Sequence, residues 1–521
     1  MKHYTVTFQP DGRQVAIHAG ANLVEAAGMA GIVLDTACGQ KGTCRKCAVT
    51  LLPQNQSVLA CQYQIQNDLT VLVPHDSRFI EHKILTEGLI RPDAVTPDIY
   101  KKYLSLAGNN PILGLAVDVG TTTVVAKIID MKTGRVITTA ADLNPQTKFG
   151  DDVISRIAYA RDEAKLTELN KLILNRLNFL IAECCGGGAV RINDIYEACI
   201  VGNTTMNHIF LRLPISQLGQ APYKAFSVDA KDSSPKDIPL RMNPAGNIHT
   251  LANIAGFVGA DTTAVALAVA LDSADETSLA IDIGTNGEIV LGTKDKLLAA
   301  SCAAGPAFEG ARITCGSRAS DGAIEAVVLT KDGIDVDVVG ERGPVSICGS
   351  GLIDAVAVLL DLGAIDPTGR FARPDVLKTG VTEVNRQTAF VLALDEKGNP
   401  SVYLTQKDIR EVQLAKAAIR TGIRLLQKRL SIADADIKHI FLAGAFGNYI
   451  RPQSALRIGL LPSVPVERIQ SIGNAACSGA QLALVNSHYR TLAADLARKI
   501  EYIEIANEPE FQAVFADSML F

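Results

Sequence analysis

The chain has 521 residues, 48% hydrophobic and 20% charged, with a formal net charge of −5. That is room for two to four globular domains with a large core. It excludes disorder as a class and gives no general basic field for nucleic acid. No apolar run approaches the length of a membrane span. The opening MKHYTVTFQPDGRQV alternates like a strand and has no apolar signal core, so a cytoplasmic location is expected. In that reducing compartment the eleven cysteines point to metal, redox chemistry or burial rather than to disulfides.

Tyr4–Phe8 and Gln14–Ile17 predict a hairpin around Asp11-Gly12, and Asn22–Gly31 a short helix with Asn22 as cap. Cys38, Cys44 and Cys47 follow on one Gly-rich loop. Cys61 comes after the strand Ala48–Leu52, for a spacing of C-x5-C-x2-C-x13-C. Structural zinc sites usually come as two close pairs. Three cysteines on a loop and a fourth on a later segment is the arrangement of a 2Fe–2S ferredoxin. The plant-type spacing has four residues in the first gap, where this chain has five. Such a cluster carries single electrons at low potential, about −400 mV in plant-type examples. Lys41, Arg45 and Lys46 make the loop locally basic, as either a solvated face or a docking edge for an acidic redox partner. The ferredoxin-like unit is read as residues 1–76, and the Pro-containing stretch 77–111 as a linker able to move it.

Residues 112–521 form the body, in two lobes of approximately 112–277 and 278–521. Asp118-Val-Gly-Thr-Thr-Thr123 lies between the apolar runs Leu113–Val117 and Val124–Ile129, predicting strand, tight turn, strand. Gly120 lets the backbone approach a ligand, Thr121 and Thr122 offer donors, and Asp118 suits a hydrated Mg²⁺. The pattern returns as Asp282-Ile-Gly-Thr-Asn-Gly-Glu288 between Leu279–Ile283 and Ile289–Leu291. Either hairpin alone is weak evidence. Two of them suggest a duplicated α/β unit with phosphate-binding turns facing one cleft.

Between the hairpins, helices are expected at Asp152–Ala160 and Leu166–Ile181, then a strand Ile195–Val201 running into a helix capped by Asn203 or Thr204. His208 on that helix reads more readily as a buried histidine than a catalytic one. Pro214–Asn253 reads as an irregular surface insertion. Asp261 opens the Ala-rich helix Thr262–Leu271, either beside the cleft or as a helix cap. Beyond the second hairpin, Gly305, Gly349 and Gly351 stand at glycine-rich helix starts, which are ready anion sites. A long helix Gln406–Gln427 and a strand Ile437–Leu442 lead to Gly444 and Gly447, a turn open enough for a flat ligand. Ala475–Val485 and the tail helix read as scaffold.

Taken in order, these motifs resemble those of the actin, sugar-kinase and heat-shock-chaperone (ASKHA) ATPase superfamily. Asp118–Thr123 and Asp282–Glu288 are similar to its two phosphate motifs, Phe441–Gly444 with Gly447 to its adenosine motif, and Val201-Gly-Asn203 to its first connecting segment. With the ferredoxin unit in front, nearly the full length resembles the reductive activators of corrinoid proteins, including the segments GNTTMNH, GPAFEG, CGSGLIDAV and DIREVQLAKAAI. The resemblance implies an α/β chain: an N-terminal β-grasp 2Fe–2S domain and a duplicated, ribonuclease H-like ATPase domain, without the extra domain some relatives carry after the linker. It implies ATP-dependent reduction of Co(II) cobamide to Co(I) in a methyl-transfer corrinoid protein, with 2Fe–2S, ATP and Mg²⁺ as cofactors. An upstream low-potential electron donor would be a partner, and a homodimer is allowed.

On that reading Cys38, Cys44, Cys47 and Cys61 hold the cluster, Asp118 and Asp282 organise Mg²⁺, and Asp261 positions the attacking water. Gly120, Thr121, Thr122, Gly284, Thr285 and Asn286 hold the phosphates, and Gly444 and Gly447 the adenosine. Cys302-Ala-Ala-Gly305 also resembles a segment of the 2-hydroxyacyl-CoA dehydratase activators, with Cys348 as a second candidate ligand. Cys184, Cys185, Cys199, Cys315 and Cys477 show no metal spacing. A chaperone-like module with a redox-sensing cluster, and a kinase with a fused ferredoxin, remain as rivals.

Overall fold

The structure is a computed structural model. It describes residues 3–521 apart from residues 11, 31, 33, 35–46, 75–95, 151, 189, 285, 311, 318, 320, 332, 341–342, 373–379 and 448; for residues 28, 445 and 446 it describes the backbone alone. The expectations for Cys38, Cys44, Lys41, Arg45, Lys46 and Thr285, and for most of the linker, therefore lie outside the described residues.

Period-2 alternation builds the first sheet. In β1 (His3–Gln9) Val6 and Phe8 face inward, and in β3 (Ala48–Leu52) Val49 and Leu51 do the same. With β2 (Arg13–His18), β4 (Gln56–Leu59) and β5 (Leu69–Leu72) they form a mixed sheet in the order β2-β1-β5-β3-β4. Leu23, Ala26 and Ala27 of the helix Leu23–Met29 bury against it, completing the β-grasp core. Asn22 and Glu25 cap that helix reciprocally, at 2.9 Å each way.

The body contains one supersecondary unit twice. In the first, β6 (Leu113–Val119), β7 (Thr123–Asp130) and β8 (Val136–Leu143) make an antiparallel meander. β9 (Ile195–Gly202) then returns parallel to β6, and β11 (Asn247–Thr250) parallel to β9, with β10 (Lys231–Ser233) at the edge. In the second, β12 (Ser278–Ile283), β13 (Gly287–Thr293) and β14 (Lys296–Cys302) make the meander. Two three-stranded sheets follow in the chain, from β15 (Ala323–Thr330), β16 (Gly333–Val338) and β17 (Ser346–Ile347), and from β18 (Val381–Val384), β19 (Gln387–Leu394) and β20 (Pro400–Thr405). β21 (His439–Ala443) then returns parallel to β12 and β22 (Ile469–Ser471) parallel to β21, with β23 (Glu501–Tyr502) on the far edge. Five strands of each six-stranded sheet match in order and direction, which is the expected duplication; the sixth, β10 or β23, is added on opposite edges.

Two details differ from the expectations. Pro214–Asn253 is not wholly an excursion over the surface, because its end supplies β11, paired in parallel with β9. His249 and Thr250 there are polar yet buried, so the strand carries no apolar alternation to reveal it. The end of the predicted linker is docked on the body. Ile99 and Tyr103 enter the core beside the helix Ala475–Val485, and the Asn486 side chain donates to Thr96 O at 2.6 Å. Among the described residues no helix is long and apolar enough to cross a membrane.

The two halves share a core. Ala116, Cys199 and Val201 from the first sheet and Ala280, Val290 and Ala299 from the second bury with the helices Ala260–Ala268 and Ala475–Val485. Those helices approach closely: a Cβ on Gly479 would stand 2.1 Å from Ala264 O. Gly479→Ala should therefore force the halves apart and cost about 1–3 kcal/mol, read as a lower urea midpoint with unchanged slope.

Candidate functional site

The first Asp-x-Gly-Thr turn is held by its backbone oxygens. The side-chain amide of Asn144 donates to Gly120 O at 2.8 Å, Asn144 N to Thr122 O at 2.8 Å, and buried Arg156 to Thr121 O at 2.5 Å. With three carbonyls tied back, what the turn has left for an anion is its N–H groups and hydroxyls. Asn203 donates to Thr121 Oγ1 at 2.9 Å, leaving the hydroxyl proton available to a ligand. Asn203 also caps the helix Thr204–Leu211 by accepting from Met206 N at 3.0 Å. Gly120 is required here, since a Cβ would meet Thr123 O at 2.6 Å.

Asp261 is carried to the same place by close packing. A Cβ on Gly259 would stand 2.4 Å from Asn203 Cα, so the start of the helix Ala260–Ala268 lies directly on the Asn203 turn. Gly259 is the N-cap of that helix, and Asp261 accepts from the adjacent Thr262 N at 2.7 Å. Helix capping does not account for this carboxylate.

In the second hairpin Gly284 N donates to Asn286 O at 2.9 Å, closing the turn between Asp282 and Glu288, which pair across the strands. Gly444, with φ of +86°, passes so near that a Cβ would be 2.4 Å from Asp282 Oδ1. Both the left-handed backbone and the contact require glycine there. Gly444 N donates to Gly473 O at 3.0 Å, and Gly447 O accepts from the Ser471 hydroxyl at 3.4 Å, so the Gly444–Gly447 turn is tied to the end of β22.

Four carboxylates from both halves feel one another. Burial pushes Asp118 up to about 6, against the opposing hydrogen bond from Asn474 and the charge of Lys127. Burial and then the Asp118 charge push Asp261 up to about 7. Burial, then Asp261 and Asp118, bring Asp282 to about 7. Glu288 is raised well above the usual carboxylate range by burial, Asp261 and Asp282. Each side chain keeps some exposure, so the cleft is open to a ligand. Among the described residues no three carboxylates, histidines or cysteines converge on one metal position. A divalent cation here fits contact through water, as Mg²⁺ commonly binds.

The sequence reading missed Asn144, Arg156, Glu288 and Asn474. Asn474 caps the helix Ala475–Val485 by accepting from Cys477 N at 2.8 Å, and its amide donates to Asp118 Oδ2 at 2.9 Å. Asn before an apolar helix was a legible cap signal; its contact with Asp118 was not. Gly305, with φ of +76°, precedes the short turn Pro306–Glu309. Gly349 and Gly351 start the helix Gly349–Asp361 inside the core. There a Cβ on Gly351 would meet Ile324 O at 2.4 Å, so packing already accounts for that glycine.

His208 is structural: fully buried, it has Nδ1 2.7 Å from Thr204 O and accepts from Ser227 N at Nε2. Cys302 and Cys348 are buried too, and burial with the Glu288 charge pushes the Cys302 thiol up, the condition of an inert thiol. Burial likewise raises Cys184 and Cys477 to about 11 and Cys199 to about 12, and also raises Cys185 and Cys315. In the ferredoxin unit, buried Cys47 and Cys61 place their sulfurs 3.4 Å apart. That is far beyond a disulfide's ~2.05 Å and near the ~3.8 Å between two thiolates on one tetrahedral metal. The pair fits a shared iron.

The folded protein holds protons on Asp118, Asp261 and Asp282 between about pH 4 and 7 that the unfolded chain has lost. Stability of the ligand-free protein should therefore fall as pH rises through that window. Mg²⁺–nucleotide binding at pH 6.5 should release protons, seen as calorimetric heats that depend on buffer ionisation enthalpy; buffer-independent heats would contradict the arrangement. Asn474→Ser keeps an oxygen for Cys477 N–H but removes the donor to Asp118. Nucleotide turnover should fall about tenfold with stability within ~0.5 kcal/mol of the native chain, while Asn474→Ala should also lose ~1 kcal/mol.

Comparison with known proteins agrees with this layout. Residues 3–74 match a domain family described as a 2Fe–2S iron–sulfur cluster binding domain. Residues 113–274 match the RACo middle region, and residues 276–521 the C-terminal ASKHA domain of RACo. The chain is 35% identical to the corrinoid activation enzyme RamQ of Eubacterium limosum, over 94% of each chain. It is 26% identical to the [Co(II) methylated amine-specific corrinoid protein] reductase of Methanosarcina barkeri, over 76% of this chain and 72% of that one. A solved reductive activator for a corrinoid, iron–sulfur protein superposes with a TM-score of 0.72 at 32% identity, covering 99% of this chain and 98% of the other. With its duplicated ASKHA body behind a ferredoxin unit, the chain belongs to the family of reductive activators of corrinoid proteins.

Proposed function

We propose that this chain reactivates a corrinoid methyl-transfer protein, using ATP turnover to drive one electron onto Co(II) cobamide and give Co(I). The relatives that act on corrinoid proteins support the target. The observation that carries the ATP dependence is the meeting of Asp118, Asp261, Asp282 and Glu288 across two duplicated phosphate turns.

In this reading Cys38, Cys44, Cys47 and Cys61 hold a 2Fe–2S cluster, which when bound supplies single electrons at low potential. Asp118 and Asp282 hold the water shell of Mg²⁺, and Asp261, beside Asn203, orients the attacking water. Gly120, Thr121, Thr122, Gly284, Thr285 and Asn286 hold the phosphates. Gly444 and Gly447 leave a flat space for adenosine, and Gly305 supplies a further open turn. ATP and water become ADP and phosphate and give no electron; one electron, taken from an upstream low-potential donor, is passed to each cobalt.

Nucleotide can help only by favouring one conformation over another. A cation and phosphates neutralise the four carboxylates as they ionise, and so close the cleft between the halves. The closed form then binds the corrinoid protein with its cobalt ligand displaced, which makes Co(II) easier to reduce. Each 59 mV of one-electron mismatch removed is about tenfold in the equilibrium. The buried Cys302 and Cys348 do not favour the dehydratase-activator alternative.

The test mixes anaerobic, iron-reconstituted protein with a Co(II) corrinoid protein, a reductant and Mg²⁺–ATP, following the visible spectrum. Co(I) should appear only with ATP. Asp282→Ala should lower both ATP turnover and Co(I) formation by about 10–100-fold, and Cys61→Ala should remove Co(I) formation while ATP turnover persists. Hydrolysis that responds to cluster oxidation without cobalt reduction would identify a redox sensor instead.

A further inference from the structure

Among the described residues, a side chain other than cysteine reaches the Cys47–Cys61 pair. Gln62 follows Cys61, and its side-chain amide donates to Cys61 Sγ at 3.6 Å. The turn that carries it is fixed by its backbone. Gln62 N and Tyr63 N both donate to Leu59 O, at 2.9 and 3.0 Å, and Ala60 N donates to Cys47 O at 3.0 Å. The Ala60 bond ties the Cys61 segment to the Cys47 segment, and the local pair fixes the turn from which the Gln62 side chain reaches the sulfur.

We infer that Gln62 sets the reduction potential of the cluster by donating a hydrogen bond to the Cys61 ligand sulfur. The inference rests on the reading of Cys38, Cys44, Cys47 and Cys61 as cluster ligands. An electron entering the cluster increases the negative charge spread over its sulfurs, and a fixed N–H aimed at one of them stabilises the reduced form more than the oxidised form. The donor therefore raises the potential. Gln62 is neutral at every working pH, so the effect is independent of titration. Its side chain is exposed, so water competes for the sulfur and the effect is moderate. The consequence for function is a balance. Without the donor the cluster is a stronger reductant for cobalt but fills less readily from the upstream donor.

Mediated potentiometric titration of the full-length, iron-reconstituted protein, followed by visible absorption, tests this with Gln62→Met and Gln62→Glu. The Met side chain keeps the unbranched length without a donor, and the equilibrium for cluster reduction should fall about three- to tenfold, or roughly 30–60 mV. Gln62→Glu sets a carboxylate where the amide donated and should lower the potential further. If Gln62→Met fails to retain iron, the Glu variant alone decides. Potentials within twofold of the native equilibrium, with iron retained, overturn the role of Gln62 and leave the cluster reading standing. A native chain that takes up no iron overturns both.

Discussion

Like charges held close in a shielded cleft are the constraint on which the rest of this structure depends. Asp118 arrives on β6, Asp261 on a helix start, and Asp282 and Glu288 on paired positions of β12 and β13. Burial is the largest influence disfavouring ionisation of all four, and neighbouring carboxylates add to it at Asp261, Asp282 and Glu288. The fold sustains the cluster because every backbone element that brings an acid in is fixed by something other than the acid. Asn144 and Arg156 hold the first turn, Gly259 packs on Asn203, and Gly444 slides beside Asp282 where no side chain fits.

Each half presents one Asp-x-Gly-Thr turn, and the helices Ala260–Ala268 and Ala475–Val485 form the core that the halves share. Contact at Gly479 and Ala264 leaves no room for a side chain between them. Asn474 joins the two sides directly, since it stands at the end of the second sheet and bonds to an aspartate of the first.

Local pattern carried a good deal of this. Apolar runs ending in Asp-x-Gly-Thr fixed both hairpins, and the cysteine spacing marked the ferredoxin unit, because strand alternation and ligand spacing are written within a few adjacent residues. Asp261 was visible as an acid at a helix start, but its purpose depended on a glycine contact with Asn203 that no local pattern encodes. Arg156 and Asn144 act on the first turn from later segments, and their local signals are those of an ordinary helix residue and a turn cap. Glu288 sat inside a recognised motif, yet its role needs the cross-strand pairing with Asp282. β11 was lost for the opposite reason: its pairing with β9, not its composition, makes it a strand.

The bond from Asn474 to Asp118 spans 356 positions of the chain. At a synthesis rate of ~5–20 residues per second, a ribosome needs roughly 20–70 s to produce the second partner after the first. The ferredoxin unit emerges early and has its own core, whereas the opening half of the ATPase waits for the last helices to cover it. The core of the ferredoxin unit is thus complete within the first 73 residues, whereas Asp118 lacks its amide donor until position 474 has been made.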